Sequence, residues 1–516
     1  MALAACSCGP MSCATGLLGS RTISGSRPNI IFILADDLSY RDLSFFGQSC
    51  FNTPNLDRMA RGGMVFSNAY AGSSECAPSR ASLLTGLHMG HCRIRKNRSV
   101  RGQDHLVDGD QTLAEVLKKA GYATGFIGKW GVGLPGTEGV PYRQGFDFAY
   151  GYYDQLRAHG FYPDYMMQNE QVVPVPENHG FDMEKLYEYN RRKIDQLEDV
   201  KNQYDRTGHL IPGGVKDPSS ARHSENLFIE KARNFIRTRK EEPFFLYYAT
   251  QLPHGPCITP DISKFMNEAW SLKHKEWAAM VTHMDRSVGA ILDELDRQGI
   301  ADNTILLFAG DNGYSAWGYF ARPAWDDDPL FNNKGPWDAG KFICRDGGVR
   351  VPFFAYWPDR IRAGRSPHIC ALYDVLETVA DLAGVSPEKP TDGISLVPVL
   401  EGRNGEQPKH AYLYWENGSM GQHAQAVRMD RWFLFRSHPT KEVELYDVER
   451  DRACQKNVSD QHPEVMKKML QIIAEAHTDS EWYVNPGEPP EVTRAKKERA
   501  QKEGSLQTPT RANSKY

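Results

Sequence analysis

Apolar residues in this chain gather in short unbroken runs that stop at polar residues, and between the runs they recur every third or fourth position. The run Asn29-Ile30-Ile31-Phe32-Ile33-Leu34-Ala35 ends abruptly at Asp36-Asp37, and Thr304-Ile305-Leu306-Leu307-Phe308-Ala309-Gly310 ends the same way at Asp311-Asn312. Apolar runs without alternation suit strands buried on both faces, as in a parallel sheet covered by helices. Tyr122 to Ile127 and Phe244 to Ala249 read as two more such strands. Helical periodicity marks Gln111 to Ala120, Ser224 to about Arg239 (with Leu227, Phe228, Ala232, Phe235 and Ile236 on one side) and Glu276 to Gln298.

From about Thr391 the pattern changes. Ala411 to Trp415, Ala426 to Val427, Trp432 to Phe435 and Val443 to Tyr446 are short apolar stretches separated by turns. An amphipathic helix from Pro463 to Ala476 follows, with Val465, Met469, Ile472 and Ile473 on one side. The pattern predicts an α/β fold: a large mixed, mostly parallel sheet flanked by helices over residues 27–390, then a smaller C-terminal antiparallel-sheet subdomain over 391–487. Residues 1–26 are expected to be an unstructured or targeting leader. Residues 488–516, polar and basic without an apolar face, are expected to be a mobile tail. The polar stretch 180–222 reads as a lid or insertion.

Composition narrows the function only by exclusion. With 61 basic against 65 acidic residues and a net charge of −4, the chain lacks the basic excess of a nucleic-acid binder. No run approaches the ~18 apolar residues of a membrane span. The ten cysteines show no zinc-like spacing in a folded segment, and a chain of 516 residues buries a core without covalent staples, so few disulfides or none are expected. The leader lacks the basic start and apolar run of a signal peptide. Leu3-Ala4-Ala5-Cys6 resembles a bacterial lipoprotein box, and the resulting expectation is a periplasmic or secreted protein, with a lipid anchor at Cys6 as its variant.

Candidate chemistry sits at the carboxyl ends of the strands, where open α/β sheets collect ligands. Asp36, Asp37, Asp311 and Asn312 supply three carboxylates and one amide oxygen, hard donors that suit Ca²⁺ or Mg²⁺. Ser74 to Gly86 reads as a loop becoming a helix, with Pro78 at its first position and Gly86 at its end. Cys76 and Arg80 are four apart, so a helical turn puts the arginine on the cysteine's face, beside a helix N-terminus that favours an oxyanion.

Cys76-Ala77-Pro78-Ser79-Arg80 followed by Ala81-Ser82-Leu83-Leu84-Thr85-Gly86 resembles the signature of the type I, formylglycine-dependent sulfatases of the alkaline-phosphatase superfamily. The resemblance covers roughly residues 27–480, with the motifs in the family's order. It implies that a maturation enzyme oxidises Cys76 to formylglycine, whose hydrate attacks sulfur and completes the shell of one divalent ion, usually calcium, held by Asp36, Asp37, Asp311 and Asn312. It further implies sulfate-binding or proton-donating roles for Arg80, Lys129 (in Gly128-Lys129-Trp130-Gly131), His254 (in Pro253-His254-Gly255-Pro256) and Lys341, which leads Lys341 to Pro352 with Asp346 where the family has glutamate. Lys334 is the rival to Lys341, but its spacing to Gly347-Gly348 does not match.

One departure bears on chemistry. Many members carry histidine where this chain has Gly131, and Ala158-His159-Gly160-Phe161-Tyr162-Pro163 resembles a bacterial subgroup in which such a histidine accompanies Gly-Lys-Trp-Gly. His159 is therefore expected to enter the pocket, in place of the missing imidazole or against the sugar. The aromatic segment with Trp317, Tyr319 and Trp325 is a candidate sugar platform. The expected function is hydrolysis of sulfate monoesters of sulfated carbohydrates. A phosphomonoesterase or phosphonate hydrolase on the same fold and a non-catalytic sulfated-glycan binder are the alternatives.

Overall fold

The computed structural model of the chain describes residues 22–100, 102–178, 203–204, 206–211, 220–255, 257–315, 328–419, 423–485 and 488–502. Its first half carries β1 (Asn29–Ala35), α1 (Pro54–Gly62), β2 (Met64–Tyr70), α2 (Cys76–Thr85), α3 (Leu113–Lys119), β3 (Ala123–Lys129), β4 (Phe148–Tyr152), β5 (Tyr165–Gln168), β6 (Gln171–Pro174), β7 (Gln203–Tyr204), β8 (Leu210–Ile211), α4 (Ser224–Arg239) and β9 (Phe244–Ala249). Then come α5 (Leu272–Gln298), β10 (Thr304–Gly310), α6 (Asp346–Val349), β11 (Phe353–Tyr356), β12 (Gly364–Ala371) and α7 (Asp374–Ala383). The C-terminal part holds β13 (Leu413–Asn417), β14 (Ala424–Met429), β15 (Trp432–Arg436), β16 (Glu444–Asp447), α8 (Pro463–Ala476) and α9 (Pro490–Lys502).

Ten strands form one sheet in the order β12-β2-β11-β10-β1-β9-β3-β4-β5-β6. The five at its centre, β10, β1, β9, β3 and β4, are parallel to one another, whereas β11, β5 and β6 run antiparallel to their neighbours. The unbroken apolar run of β1 has its reason here. Ile30, Phe32 and Leu34 enter the core under α2, α3 and α7, while Ile31, Ile33 and Ala35 enter the core under α1, α4 and α5. Each large side chain so buried contributes ~1.5–3 kcal/mol. Four parallel neighbours, β10, β1, β9 and β3, consequently release their carboxyl ends at one edge.

The second sheet, β13-β14-β15-β16, is antiparallel throughout. Tyr414, Val427, Leu434 and Leu445 pack on Met469, Ile472 and Ile473 of α8, and Trp415, Phe433 and Phe435 on the opposite face pack with Tyr70 and Cys344 of the larger body.

Two expectations need correction. Residues 22–26 of the leader are docked: Ile23 is fully buried, its N–H donates to Glu401 Oε1, and Gly25 N–H donates to the Asp381 carbonyl at the end of α7. The first part of the tail is helical, as α9. Only Ala500 is buried there, and Lys496 donates to the Tyr483 carbonyl while Arg499 pairs with Glu481 over the Trp482 ring. A helix held by charged contacts leaves no apolar stripe to read. The lipoprotein-like Cys6, most of the expected lid at 180–222, Pro256 and the aromatic segment with Trp317, Tyr319 and Trp325 lie outside the described residues. The seven described cysteines are all unbridged, and no described helix is long and apolar enough to cross a membrane.

Candidate active site

β1 hands the chain to Asp36-Asp37, and Asp37 takes a left-handed φ of 63°, a conformation that a short polar residue tolerates better than a bulky one. Its N–H donates to Asp311 Oδ1 at 3.1 Å, tying the end of β1 to the end of β10. Asn312 Nδ2 donates to Asp37 Oδ1 at 2.8 Å. β3 ends on Lys129, whose Nζ lies 2.5 Å from Asp36 Oδ2, and the loop before α6 brings Lys341 Nζ to 2.6 Å from Asp37 Oδ1.

Cys76 opens α2, with Glu75 as the preceding cap residue, so the helix starts two residues ahead of the expected Pro78. Proline is tolerated there because first-turn N–H groups have no partner within the helix. Gly86, at φ 72°, ends the helix as expected. Arg80, one turn after Cys76 and fully buried, donates from Nε and Nη2 to Asp311 Oδ2 at 3.2 and 2.9 Å, and from Nη1 to the Lys129 carbonyl at 2.6 Å. Cys76 Sγ sits 3.4 Å from Asp36 Oδ1, 3.4 Å from Asn312 Oδ1 and 3.2 Å from Lys341 Nζ. His254, in the loop after β9, places Nε2 3.5 Å from Asp37 Oδ2, and its ring stacks on His159 with centroids 4.2 Å apart and planes 9° from parallel.

The ten candidate metal-binding and catalytic residues, Asp36, Asp37, Cys76, Arg80, Lys129, His159, His254, Asp311, Asn312 and Lys341, are therefore in one cluster. Three carboxylates (Asp36, Asp37, Asp311) face three cations (Arg80, Lys129, Lys341), so charge balances before any ligand enters. Burial, reinforced by Asp36, pushes the Cys76 thiol well above its ordinary value, and the unmodified side chain is a neutral thiol. Burial opposes the charge on Lys341, but Asp37 and its neighbours outweigh it and hold the ammonium well above the usual lysine range. Burial, then the nearby lysines 341 and 129, pull His254 well below the ordinary imidazole value. Burial and the His254 ring do the same to His159. His254 Nδ1 lies 2.6 Å from the Gly255 carbonyl, so Nδ1 donates there and Nε2 faces the pocket.

The donors fit a hard divalent cation. Ligand atoms of Asp36, Asp37, Cys76 and His254 lie within 4.8 Å of one another. His254 Nε2 lies 3.5 Å from Asp37 Oδ2, at the edge of the same cluster. Asp36, Asp37, Asp311 and Asn312 would hold the cation, and their oxygen chemistry suits Ca²⁺ or Mg²⁺. Among the described residues a second convergence, His88, His91 and Asp392, is of another kind. His88 Nδ1 accepts the Gly90 N–H at 3.1 Å, so the proton is on Nε2, the atom nearest Asp392, and no lone pair faces that carboxylate.

A family model described as Sulfatase matches residues 28–385, and one described as N-sulphoglucosamine sulphohydrolase, C-terminal, matches residues 336–479. The chain belongs to the sulfatase family. This sulfatase, a sulfuric ester hydrolase, is 27% identical over 492 residues to an N-acetylgalactosamine-6-O-sulfatase of Bacteroides thetaiotaomicron, covering 88% of this chain and 94% of that protein. It is 33% identical over 426 residues to arylsulfatase G of Rattus norvegicus, covering 79% and 76% of the two chains. The crystal structure of Ps i-CgsB superposes with a TM-score of 0.70 at 27% identity, over 93% of this chain and all (100%) of that one. A further crystal structure holds that protein in complex with k-i-k-neocarrahexaose.

Residues that sequence reasoning missed hold the loop of Cys76 in place. Asn97 Oδ1 accepts the Ala77 N–H at 2.9 Å, and the Glu75 carboxylate accepts from Asn97 N–H and from Ser419 Oγ. Asn417 Nδ2 donates to Ser74 Oγ at 2.7 Å. The C-terminal sheet thus grips the residues on either side of the cysteine's entry into α2. His283 bonds Asn226, and Asp285 caps the start of α1, so both serve the fold.

Proposed function

We propose that this sulfatase removes sulfate from sulfated carbohydrates, using a formylglycine made from Cys76 and one calcium ion. The observation that carries this reading is the setting of Cys76: at the start of a buried helix its Sγ is enclosed by Asp36, Asn312 and Lys341. When mature, the side chain at 76 supplies two hydroxyls on one carbon, one to attack sulfur and one to expel the sulfate afterwards. The cation, when bound, supplies positive charge for the sulfate and for the attacking oxygen.

The chain's own residues do the rest. Arg80, pinned by Asp311 and the Lys129 carbonyl, and Lys129, pinned by Asp36, are fixed positive charges that need no reorganisation as negative charge shifts. Lys341, paired with Asp37 and 3.2 Å from Sγ of residue 76, is the fixed positive group assigned here to the sulfate's bridging oxygen as it leaves. His254, whose Nδ1 bonds the Gly255 carbonyl, turns Nε2 to the same pocket, where it serves a sulfate oxygen or the departing alcohol. The stacked His159 ring backs His254 and brings a second neutral imidazole to a pocket that lacks one at Gly131.

The relatives named as N-acetylgalactosamine-6-sulfatases make N-acetylgalactosamine 6-sulfate the first substrate to try. A formylglycine-generating enzyme is the required partner, and export to the periplasm or beyond, where polysaccharides are met, goes with this reading. The test is release of inorganic sulfate from that sugar and from 4-nitrophenyl sulfate, with 4-nitrophenyl phosphate as the control for a phosphatase. Replacement Lys341→Ala is expected to lower kcat/KM on the sugar sulfate by ~10²–10⁴ and to matter much less for 4-nitrophenyl sulfate, whose phenolate leaves without a proton. Equal losses on both would move the acid role elsewhere. Chelation with EDTA is expected to stop turnover, and added Ca²⁺ to restore it, checked by sulfate release before and after dialysis.

A further inference from the structure

Among the buried polar atoms beside the site that find no hydrogen-bond partner are Gln155 Oε1 and Gln103 Nε2, with His159 Nε2 and Gln251 Oε1 nearby. Gln155 is 6% exposed and Gln103 7%. Native structures seldom leave such atoms unpaired, because each forfeits the water it bonded in the unfolded chain. Gln155 is held where it is. Its N–H donates to Gln103 Oε1 at 2.9 Å, and Asp154 Oδ1 accepts from the N–H groups of Leu156 and Arg157 at 2.5 and 2.9 Å, fixing the turn that leads to His159.

The carboxamide lies where another residue's side chain would start. Gly131 has φ 81°, and a Cβ built on it would be 2.4 Å from Gln155 Oε1 and 3.7 Å from Arg80 Cδ. Glycine is thus required twice over, for the left-handed backbone and for the approach of the amide oxygen. The amide end is brought up to the wall formed by Arg80 and the segment after Lys129, two residues after the lysine that pairs with Asp36.

We propose that Gln155 is a substrate-binding residue: its Oε1 accepts a hydrogen bond from a hydroxyl of the sugar that carries the sulfate, and Gly131 is present to admit it. This rests on the carbohydrate reading above and adds the group that recognises the sugar. The polarity decides the ligand. A carbonyl oxygen repels the oxygens of a sulfate, which go to Arg80, Lys129 and Lys341, and attracts an O–H donor. A site built to bond a hydroxyl discriminates strongly against ligands lacking it.

The test compares two ligands on the full-length chain carrying Cys76→Ala, which cannot turn over, in the presence of Ca²⁺. Calorimetry gives Kd for N-acetylgalactosamine 6-sulfate and for inorganic sulfate, with and without Gln155→Met, a change that keeps length and volume but removes the acceptor. The parent is expected to prefer the sugar sulfate, and Gln155→Met to reduce the ratio of the two affinities by ~10-fold, the effect of one hydrogen bond of about 1.4 kcal/mol. Gly131→Ala, which displaces the amide, is expected to reduce the ratio similarly, and the double variant no further. A parent without preference for the sugar sulfate, a variant that weakens both ligands equally, or one that weakens neither would overturn the assignment. Turnover of 4-nitrophenyl sulfate by the mature chain separates the two levels. Its absence would overturn the proposed hydrolysis, whereas its presence with an unchanged affinity ratio would overturn only the role of Gln155.

Discussion

Replacing Cys76 by alanine is expected to abolish sulfate release, by about 10⁴-fold or more, while leaving the fold intact. The side chain at 76 is small, and alanine leaves the surrounding ion pairs, Lys341 with Asp37 and Lys129 with Asp36, in place. Serine at the same position is the more informative variant. It offers one hydroxyl, so attack on sulfur would leave a sulfate ester on the protein that no second hydroxyl on the same carbon expels. The expected result for Cys76→Ser is at most one sulfate transferred per chain, seen by rapid-mixing kinetics and by a sulfated peptide in the mass spectrum. Steady turnover by either variant would show that chemistry runs elsewhere.

The second large effect is on stability. Arg80 is fully buried and carries two hydrogen bonds to Asp311 and one to the Lys129 carbonyl. Arg80→Met keeps much of the stem but strands a carboxylate that burial and Asp36 already push upward. Breaking one side of a buried pair costs ~3–5 kcal/mol, because the remaining charge has lost both water and partner. Urea unfolding of the metal-free chain is expected to show that loss, and Asp311→Asn added to Arg80→Met is expected to recover part of it. A loss below ~1 kcal/mol would mean that the pair is solvated in solution. Activity should vanish in both variants, since the cation site and the sulfate-facing charge are damaged together.

The site was readable from sequence where chemistry coincides with a strong local signal. Asp36-Asp37 and Asp311-Asn312 end the two most apolar runs, and strands buried on both faces leave no other periodic reading. Cys76 and Arg80 are one helical turn apart, and a helix start was legible in their flanks, although the cap is Glu75 rather than a residue next to Pro78. α8 emerged with the bounds expected, because its apolar side faces a sheet.

What stayed hidden depends on pairs that only the fold brings together. Nothing in Gly131 alone announces that Gln155 fills its side-chain space, and nothing in Glu75 or Ser74 points 344 and 343 residues onward to Ser419 and Asn417, although those contacts hold the loop of Cys76. The sequence favoured His254 as sulfate ligand or proton donor. The fold adds what the sequence could not show: Nδ1 bonds the Gly255 carbonyl, which turns Nε2 toward Asp37. α9 escaped detection because its contacts are ionic.

The most direct test is a paired measurement on protein expressed with and without a formylglycine-generating enzyme: the mass of the peptide containing Cys76, and the rate of sulfate release per chain. The expected result is that the fraction of peptide lightened by exchange of thiol for aldehyde rises with co-expression, and that the rate rises in proportion to it. Full turnover from chains whose Cys76 is still a thiol, or none from chains in which it is fully converted and calcium is present, would contradict the role assigned to Cys76.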